Sequence, residues 1–202
     1  MQAGVTPDNL SSFIHVYGLR LAVAQGWHPA YEAFCSRREP CVVTMENMKG
    51  IIGAQALGGR AYIVENEMVF SYLLRHLEGA PCTLLCTSGQ PRSVAQALIG
   101  RLLEGGAQLY YNGDLDPDGI CIADRLWKKF GEGMHIWRMS PQDYERSLSR
   151  EPIGDLGRAK LERVEHPVLQ RTAERMKAKG LAGYQENTPP VYTRHCSIPL
   201  PY

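Results

Sequence analysis

The chain carries, at residues 107–124, the run Ala-Gln-Leu-Tyr-Tyr-Asn-Gly-Asp-Leu-Asp-Pro-Asp-Gly-Ile-Cys-Ile-Ala-Asp. Its apolar and aromatic start predicts a short buried strand that ends at Gly113, and a helical pattern begins at Gly119. Three acids stand at alternate positions between the two glycines: Asp114, Asp116 and Asp118. Carboxylates crowded on one strand-to-helix turn repel one another, and Mg²⁺, Mn²⁺ or Ca²⁺ would offset that repulsion. The turn therefore suggests a metal site.

The sequence on both sides of this turn alternates between strands and helices. Strands are predicted at residues 61–64, 82–86, 107–111 and 134–138, and helices at about 69–77, 92–104 and 119–130. Such alternation predicts an α/β fold with a parallel four-stranded sheet flanked by helices.

A parallel sheet brings the carboxyl ends of its strands to one edge, where ligands bind. Glu65, Ser88 and the acidic turn all follow predicted strand ends, so we expect them to converge. The proposed ligands are Glu65, Asp114 and Asp116, with Asp118 as a fourth or second-metal ligand.

The first 58 residues predict a helical N-terminal segment, and residues 59–202 form the main domain with its C-terminal extension. Helices are expected over residues 7–25, 30–37 and 45–57, with a strand at 41–43. One interpretation makes this segment the end of a truncated upstream domain.

The C-terminal extension contains a basic helical stretch, residues 158–179, which His166-Pro167 interrupts. Seven Lys or Arg side chains stand there against three acidic ones. This charge favours either a solvated helix face or contacts with a DNA backbone. Residues 184–202 are rich in proline, which predicts an extended chain.

The 202-residue chain has a net charge of +1, so bulk charge neither indicates nor excludes a nucleic-acid partner. No apolar run approaches the roughly 20 residues of a membrane span, and the N-terminus lacks a signal-peptide core. The six cysteines form no Cys-x-x-Cys pair. We therefore expect reduced thiols in a cytoplasmic protein without a membrane partner.

Other sites also use closely spaced acids. A calcium loop starting at Asp114 would need an acid at its twelfth position, which here is Arg125. A phosphatase of the haloacid dehalogenase type continues Asp-x-Asp-Gly, whereas Pro117 follows here. A nucleotide-sugar transferase with a metal-binding Asp-x-Asp and a merely solvated turn are the remaining alternatives.

Three motifs place residues 60–140 close to a known class. They are Val64-Glu65-Asn66, Cys86-Thr-Ser-Gly-Gln-Pro91 and Tyr111-Asn-Gly-Asp-Leu-Asp-Pro-Asp-Gly119. Their order resembles a Toprim domain, and the Asp-x-Asp-Pro-x-Gly-Ile form is similar to that of the topoisomerase VI A subunit. The wider pattern resembles the bacterial Toprim nuclease subunit of Wadjet-type plasmid-defence systems.

This resemblance implies a Mg²⁺- or Mn²⁺-dependent DNA endonuclease. The implied partners are DNA and the subunits of an SMC-like condensin complex, and a homodimer is one expected assembly. Carried over to this chain, the catalytic and metal-binding residues are Glu65, Asp114 and Asp116, the additional metal candidates are Asp118 and Glu67, and the DNA contacts are Ser88 and Arg92.

Relatives of topoisomerase VI use a tyrosine nucleophile on a preceding winged-helix domain. Neither Tyr17 nor Tyr31 has local support for that role, which favours hydrolysis by a metal-activated water. Two further hypotheses remain open: a catalytically silent Toprim module that docks onto an SMC complex, and a metal-dependent phosphotransferase acting on small nucleotides.

Overall fold

The computed structural model describes residues 8–77 and 81–187. Within these ranges the chain forms eleven strands. They are β1 (Phe13–Tyr17), β2 (Leu19–Val23), β3 (Gly26–Trp27), β4 (Cys41–Thr44), β5 (Gly53–Ala56), β6 (Arg60–Val64), β7 (Thr83–Cys86), β8 (Gln108–Asn112), β9 (Met134–Ile136), β10 (Leu148–Pro152) and β11 (Leu181–Gly183).

Seven α-helices occur in the same ranges. They are α1 (Pro29–Arg37), α2 (Glu67–His76), α3 (Ser93–Glu104), α4 (Pro117–Phe130), α5 (Pro141–Ser147), α6 (Asp155–Leu161) and α7 (Pro167–Lys179). None of the helices among the described residues is long and apolar enough to cross a membrane.

The main sheet has six strands in the order β4-β1-β7-β6-β8-β9. Strands β7, β6, β8 and β9 run parallel, whereas β1 pairs antiparallel with both β7 and β4. The expected α/β class and its four parallel strands are therefore confirmed. The complete sheet is larger than expected and mixed, because two N-terminal strands extend it.

The prediction of a helix over residues 7–25 was wrong. The apolar residues fit a helical spacing, but buried Ile14 and Val16 also alternate with less buried neighbours, as in a strand with one covered face. Gly18 then adopts φ +63°, and a Cβ at this position would lie 2.2 Å from the carbonyl oxygen of Cys82. Glycine therefore fits this position, where the chain turns between β1 and β2.

The helix expected over residues 45–57 was also wrong. Thr44 and Asn47 do form reciprocal hydrogen bonds that resemble a helix start. Gly50 has φ +80°, however, and the chain continues into β5, which pairs with β2. Helix α1 and strand β4 match the remaining N-terminal predictions.

Side chains of the parallel strands alternate between the two faces of the sheet. On one face, Ile63, Leu109 and Tyr111 pack in a buried cluster with residues of α3 and α4. On the other, Tyr62 and Val64 pack against α2. The central strands are consequently covered on both sides, and their carboxyl ends remain the place where polar side chains meet.

The basic stretch is split between α6 and α7, as the His166-Pro167 interruption predicts. His166 is the N-cap of α7, and its ring accepts a hydrogen bond from the Val168 N–H at 3.3 Å. Strands β10 and β11 form a separate antiparallel pair that flanks this region. Most of the proline-rich stretch, residues 188–202, lies outside the described residues.

Candidate metal centre

Glu65 and Asp114 lie side by side at the carboxyl edge of the sheet. Strands β6 and β8 are neighbours in register, with Val64 opposite Asn112, so the residues that follow each strand meet. The N–H of Asp114 donates to Glu65 Oε2 at 3.4 Å, although the two residues are 49 positions apart. The Tyr111 hydroxyl donates to the same oxygen at 3.5 Å.

Two glycines allow this close packing. A Cβ at Gly113 would lie 2.8 Å from Glu65 Oε2, and a Cβ at Gly119 would lie 2.2 Å from the carbonyl oxygen of Asp114. Any larger residue would displace the Glu65 carboxylate or open the turn. The glycines that bracket the acids are therefore required by the geometry around Glu65 and Asp114.

Asp116 begins helix α4. Its backbone is extended, Pro117 occupies the first helical position, and Asp116 Oδ1 accepts the N–H of Gly119 at 2.7 Å. This is a helix N-cap, so Asp116 has a structural role whether or not it also binds a cation. Its backbone follows directly from that of Asp114 through the buried Leu115.

Burial and mutual repulsion make the negative charge of these acids unfavourable. Burial, followed by the charges of Asp114 and Asp116, raises the pKa of Glu65 to about 7. The pKa of Asp114 rises to about 6 through burial and the charges of Asp116 and Glu186, despite a hydrogen bond from the Gln185 N–H. Burial also raises the pKa of Asp116.

The structure places the other predicted acids differently. The side chain of Asp118 is 69% exposed and pairs with Lys160 of α6 at 2.6 Å. Glu67 is exposed in the first turn of α2. Both remain predictions as ligands, but neither shares the buried setting of Glu65 and Asp114.

The two predicted DNA contacts lie on the next connection along the edge. Ser88 has φ +52° in the turn after β7, and the adjacent Gly89 N–H donates to the Glu65 carbonyl at 3.0 Å. Arg92 precedes α3, where its guanidinium donates to the Ser11 carbonyl and lies 5.9 Å from the Phe13 ring centroid. The turn containing Ser88 therefore touches the site, whereas Arg92 is held by the N-terminal segment.

Sequence reasoning missed a contribution from the C-terminal segment (residues 181–187). Gln185 donates its N–H to Asp114 Oδ1 at 2.9 Å, and its side-chain amide donates to the side-chain oxygen Oδ1 of Asn112. Glu186 accepts a hydrogen bond from the side chain of Asn66. These residues lay in a stretch predicted only as extended, and no spacing or motif linked them to the acidic turn.

The donor chemistry of the site fits a hard divalent cation. Glu65, Asp114 and Asp116 supply carboxylate oxygens, which Mg²⁺ and Mn²⁺ prefer, and a cation would offset the charge that burial disfavours. In the part of the chain that the structure describes, no three His, Cys, Asp or Glu side chains are grouped closely enough to hold an ion. Coordination by all three acids therefore requires side-chain movement.

Comparison with known proteins identifies one family match. The chain matches no curated protein. A match to the family described as "Protein of unknown function C-terminus (DUF2399)" extends over residues 41–193 and includes the entire parallel part of the sheet and the acidic turn. Because this match covers well over half of its length, the chain belongs to the DUF2399 family.

Proposed function

We propose that this protein is a divalent-metal-dependent DNA endonuclease with a Toprim-like fold. The observation that carries the proposal is the juxtaposition of Glu65 and Asp114, from two adjacent parallel strands, at the edge where the Asp116 turn begins a helix. Half-buried acids placed close together at a ligand-binding edge are unfavourable for stability alone, and such groups occur preferentially at functional sites.

Within this proposal, Glu65, Asp114 and Asp116 hold Mg²⁺ or Mn²⁺. The bound ion would stabilise negative charge on the phosphate that is cleaved and would activate a water molecule. The hydrogen bonds from Asp114 N–H and Tyr111 orient Glu65, while the Gly119 N–H orients Asp116. These bonds define the orientation of the acids in the metal-free chain, and metal binding by all three would require at least one carboxylate to reorient.

Hydrolysis by water is the reaction that the surroundings of the tyrosines support. Tyr31 is 6% exposed in the N-terminal region, and burial raises its pKa to about 12. Tyr17 ends β1, and burial raises its pKa too. Burial therefore disfavours the phenolate form that an attack on DNA by either side chain would use.

A cleavage assay tests this function. Supercoiled plasmid is incubated with the 202-residue protein and Mn²⁺, and nicked and linear products are measured by gel electrophoresis. Wild-type protein should cleave, Asp116→Ala should lose cleavage, and Asp155→Asn, an exposed acid in the first turn of α6, should retain it. Cleavage that survives Asp116→Ala would refute the proposed role of the turn.

We further propose that the protein acts with an SMC-like condensin complex in defence against plasmids. The support is the Toprim motif order together with the parallel strands that arrange those motifs along one edge. Copurification with SMC-like condensin subunits from the same organism, in the presence and absence of plasmid, tests this partnership. No association under either condition would contradict it.

A second candidate is a catalytically silent Toprim module that docks onto such a complex. It is favoured by the lack, among the described residues, of three acids already grouped for an ion. Metal binding without plasmid cleavage, even with partner subunits present, would support this module over the endonuclease. Turnover of small nucleotides without DNA cleavage would instead indicate a phosphotransferase.

A further inference from the structure

The acidic turn is held from outside by a part of the chain nearly 70 residues away. Leu115 and Gly183 form an antiparallel bridge. The Leu115 N–H donates to the Gly183 carbonyl at 2.9 Å, and the Gly183 N–H donates to the Leu115 carbonyl at 2.8 Å. Gly183 packs so tightly that a Cβ there would lie 2.2 Å from Ser147 Oγ. The C-terminal segment is therefore fixed against the turn by its backbone.

Gln185 connects this segment to the site through two different groups. Its backbone N–H donates to Asp114 Oδ1 at 2.9 Å, and its side-chain amide donates to Asn112 at the end of β8. Asn112 in turn donates to the carbonyl oxygen of Arg138 at 3.2 Å. Gln185 is 2% exposed, so both of its hydrogen bonds are shielded from water.

We propose that Gln185 is a positioning residue for Asp114, a role that rests on the proposed metal site. The bond to Asn112 fixes the Gln185 main chain, and the fixed N–H selects the orientation of the Asp114 carboxylate. A carboxylate with one oxygen held in this way presents its remaining lone pairs in a defined direction. Partners that orient ligands typically change metal affinity about 10- to 100-fold when removed.

A matched pair of substitutions tests this role. Gln185→Met keeps the length of the side chain but removes its amide, and therefore the link to Asn112. Asn187 lies in the same segment, and its side-chain amide donates to the Ser147 carbonyl at 2.9 Å. Asn187→Ala removes this hydrogen bond, which does not involve Asp114. Both variants weaken the anchoring of the segment, but only the first acts on the Asp114 carboxylate.

The readout is the Mn²⁺ dissociation constant, measured by the loss of the free-ion signal in electron paramagnetic resonance. It is recorded well below the melting temperatures of the metal-free proteins, so that loss of folding does not contribute. We expect Gln185→Met to weaken Mn²⁺ binding about tenfold or more and Asn187→Ala to change it by less than about twofold.

Equal dissociation constants for the two variants, whether unchanged or equally weakened, would overturn the role of Gln185. The wild-type titration separates this result from failure of the site itself. If wild-type protein and Asp114→Asn both leave the free Mn²⁺ signal unchanged, the metal site is wrong and the positioning role falls with it. If only wild-type protein binds, the comparison of variants decides the role.

Discussion

The three acids at the start of helix α4 and the single acid Asp124 within it differ in how their negative charge is stabilised. Before the first turn of α4 lie the half-buried acids Glu65, Asp114 and Asp116, whose pKa values are raised by burial and by the charge of neighbouring acids. Further along α4, the Asp124 side chain is 6% exposed but pairs with Lys128 at 2.8 Å. The cost of burying this carboxylate is therefore offset by its partners.

Asp124 is a buried acid whose carboxylate has several hydrogen-bond partners. Its Oδ1 accepts the N–H of Glu165 at 3.0 Å and of His166 at 2.8 Å, which ties α4 to the start of α7. Burial alone would raise the pKa of Asp124, but the bonds from Lys128, His166 and Glu165 lower it. At the carboxyl edge, by contrast, hydrogen bonds from N–H groups offset the effect of burial only in part. No ion pair among the described residues includes these three acids, and a bound cation would supply the missing positive charge.

The largest expected effect is on plasmid cleavage, which should distinguish Asp114 from Asp124. Asp114→Ala should reduce Mn²⁺-dependent plasmid cleavage about a hundredfold or more, because an acid that holds the ion is lost. Asp124→Asn should retain cleavage under conditions where it is folded. Rates are compared from gel time courses at equal folded concentration. Similar losses in both variants would mean that the Asp114 effect is merely structural.

The next effect concerns stability. Asp124→Ala should lower the free energy of unfolding by about 2–3 kcal/mol, because two backbone N–H groups and a lysine lose their partner. Urea denaturation followed by circular dichroism measures this change. A loss below about 0.5 kcal/mol would show that Asp124 does not carry the α4–α7 connection.

The same acid predicts a dependence on pH. Because the pKa of Asp124 is lower in the folded than in the unfolded chain, its stabilisation is complete above the unfolded value, about 3.9, and is lost as pH falls through the folded value. The stability difference between wild type and Asp124→Asn should therefore shrink below about pH 4. A difference that stays constant down to acid unfolding would contradict this account.

A smaller effect, an increase in stability, is expected for a substitution at the carboxyl edge of the sheet. Glu65→Gln keeps the shape and an acceptor for Tyr111 but removes a charge that is unfavourable when buried. At pH 8 without metal, we expect this variant to be more stable than wild type by about 1 kcal/mol. Urea denaturation in the presence of a chelator gives the value. A less stable variant would show that the Glu65 charge is already compensated.

The smallest effect is expected at Asp118. Its exposed ion pair with Lys160 contributes little, so Asp118→Asn should change stability by less than about 0.5 kcal/mol. We also expect its Mn²⁺ dissociation constant to stay within about twofold of wild type. A loss of affinity comparable with that of Asp114→Asn would restore Asp118 as a metal ligand.

Local patterns made much of the fold predictable. Strand ends followed by polar residues identified the edge, and parallel alternation brought Glu65 next to Asp114. The N-terminal strands were not predicted because Phe13, Ile14, Tyr17 and Leu21 recur at helical spacing, whereas the alternation of Ile14 and Val16 spans only a short strand. Pairing with β7, which is remote in sequence, decides between the two. The role of Gln185 was not predicted for a similar reason, because its contacts with Asp114 and Asn112 arise only from tertiary folding.

We propose that the carboxyl edge of the sheet binds a divalent cation through Glu65, Asp114 and Asp116. Mn²⁺ titration of wild type, Asp114→Asn and Asp124→Asn, followed by electron paramagnetic resonance, tests it most directly. We expect wild type and Asp124→Asn to bind with dissociation constants within about twofold, and Asp114→Asn to bind at least about tenfold more weakly. Equal binding by all three proteins, or none by wild type, would contradict the claim.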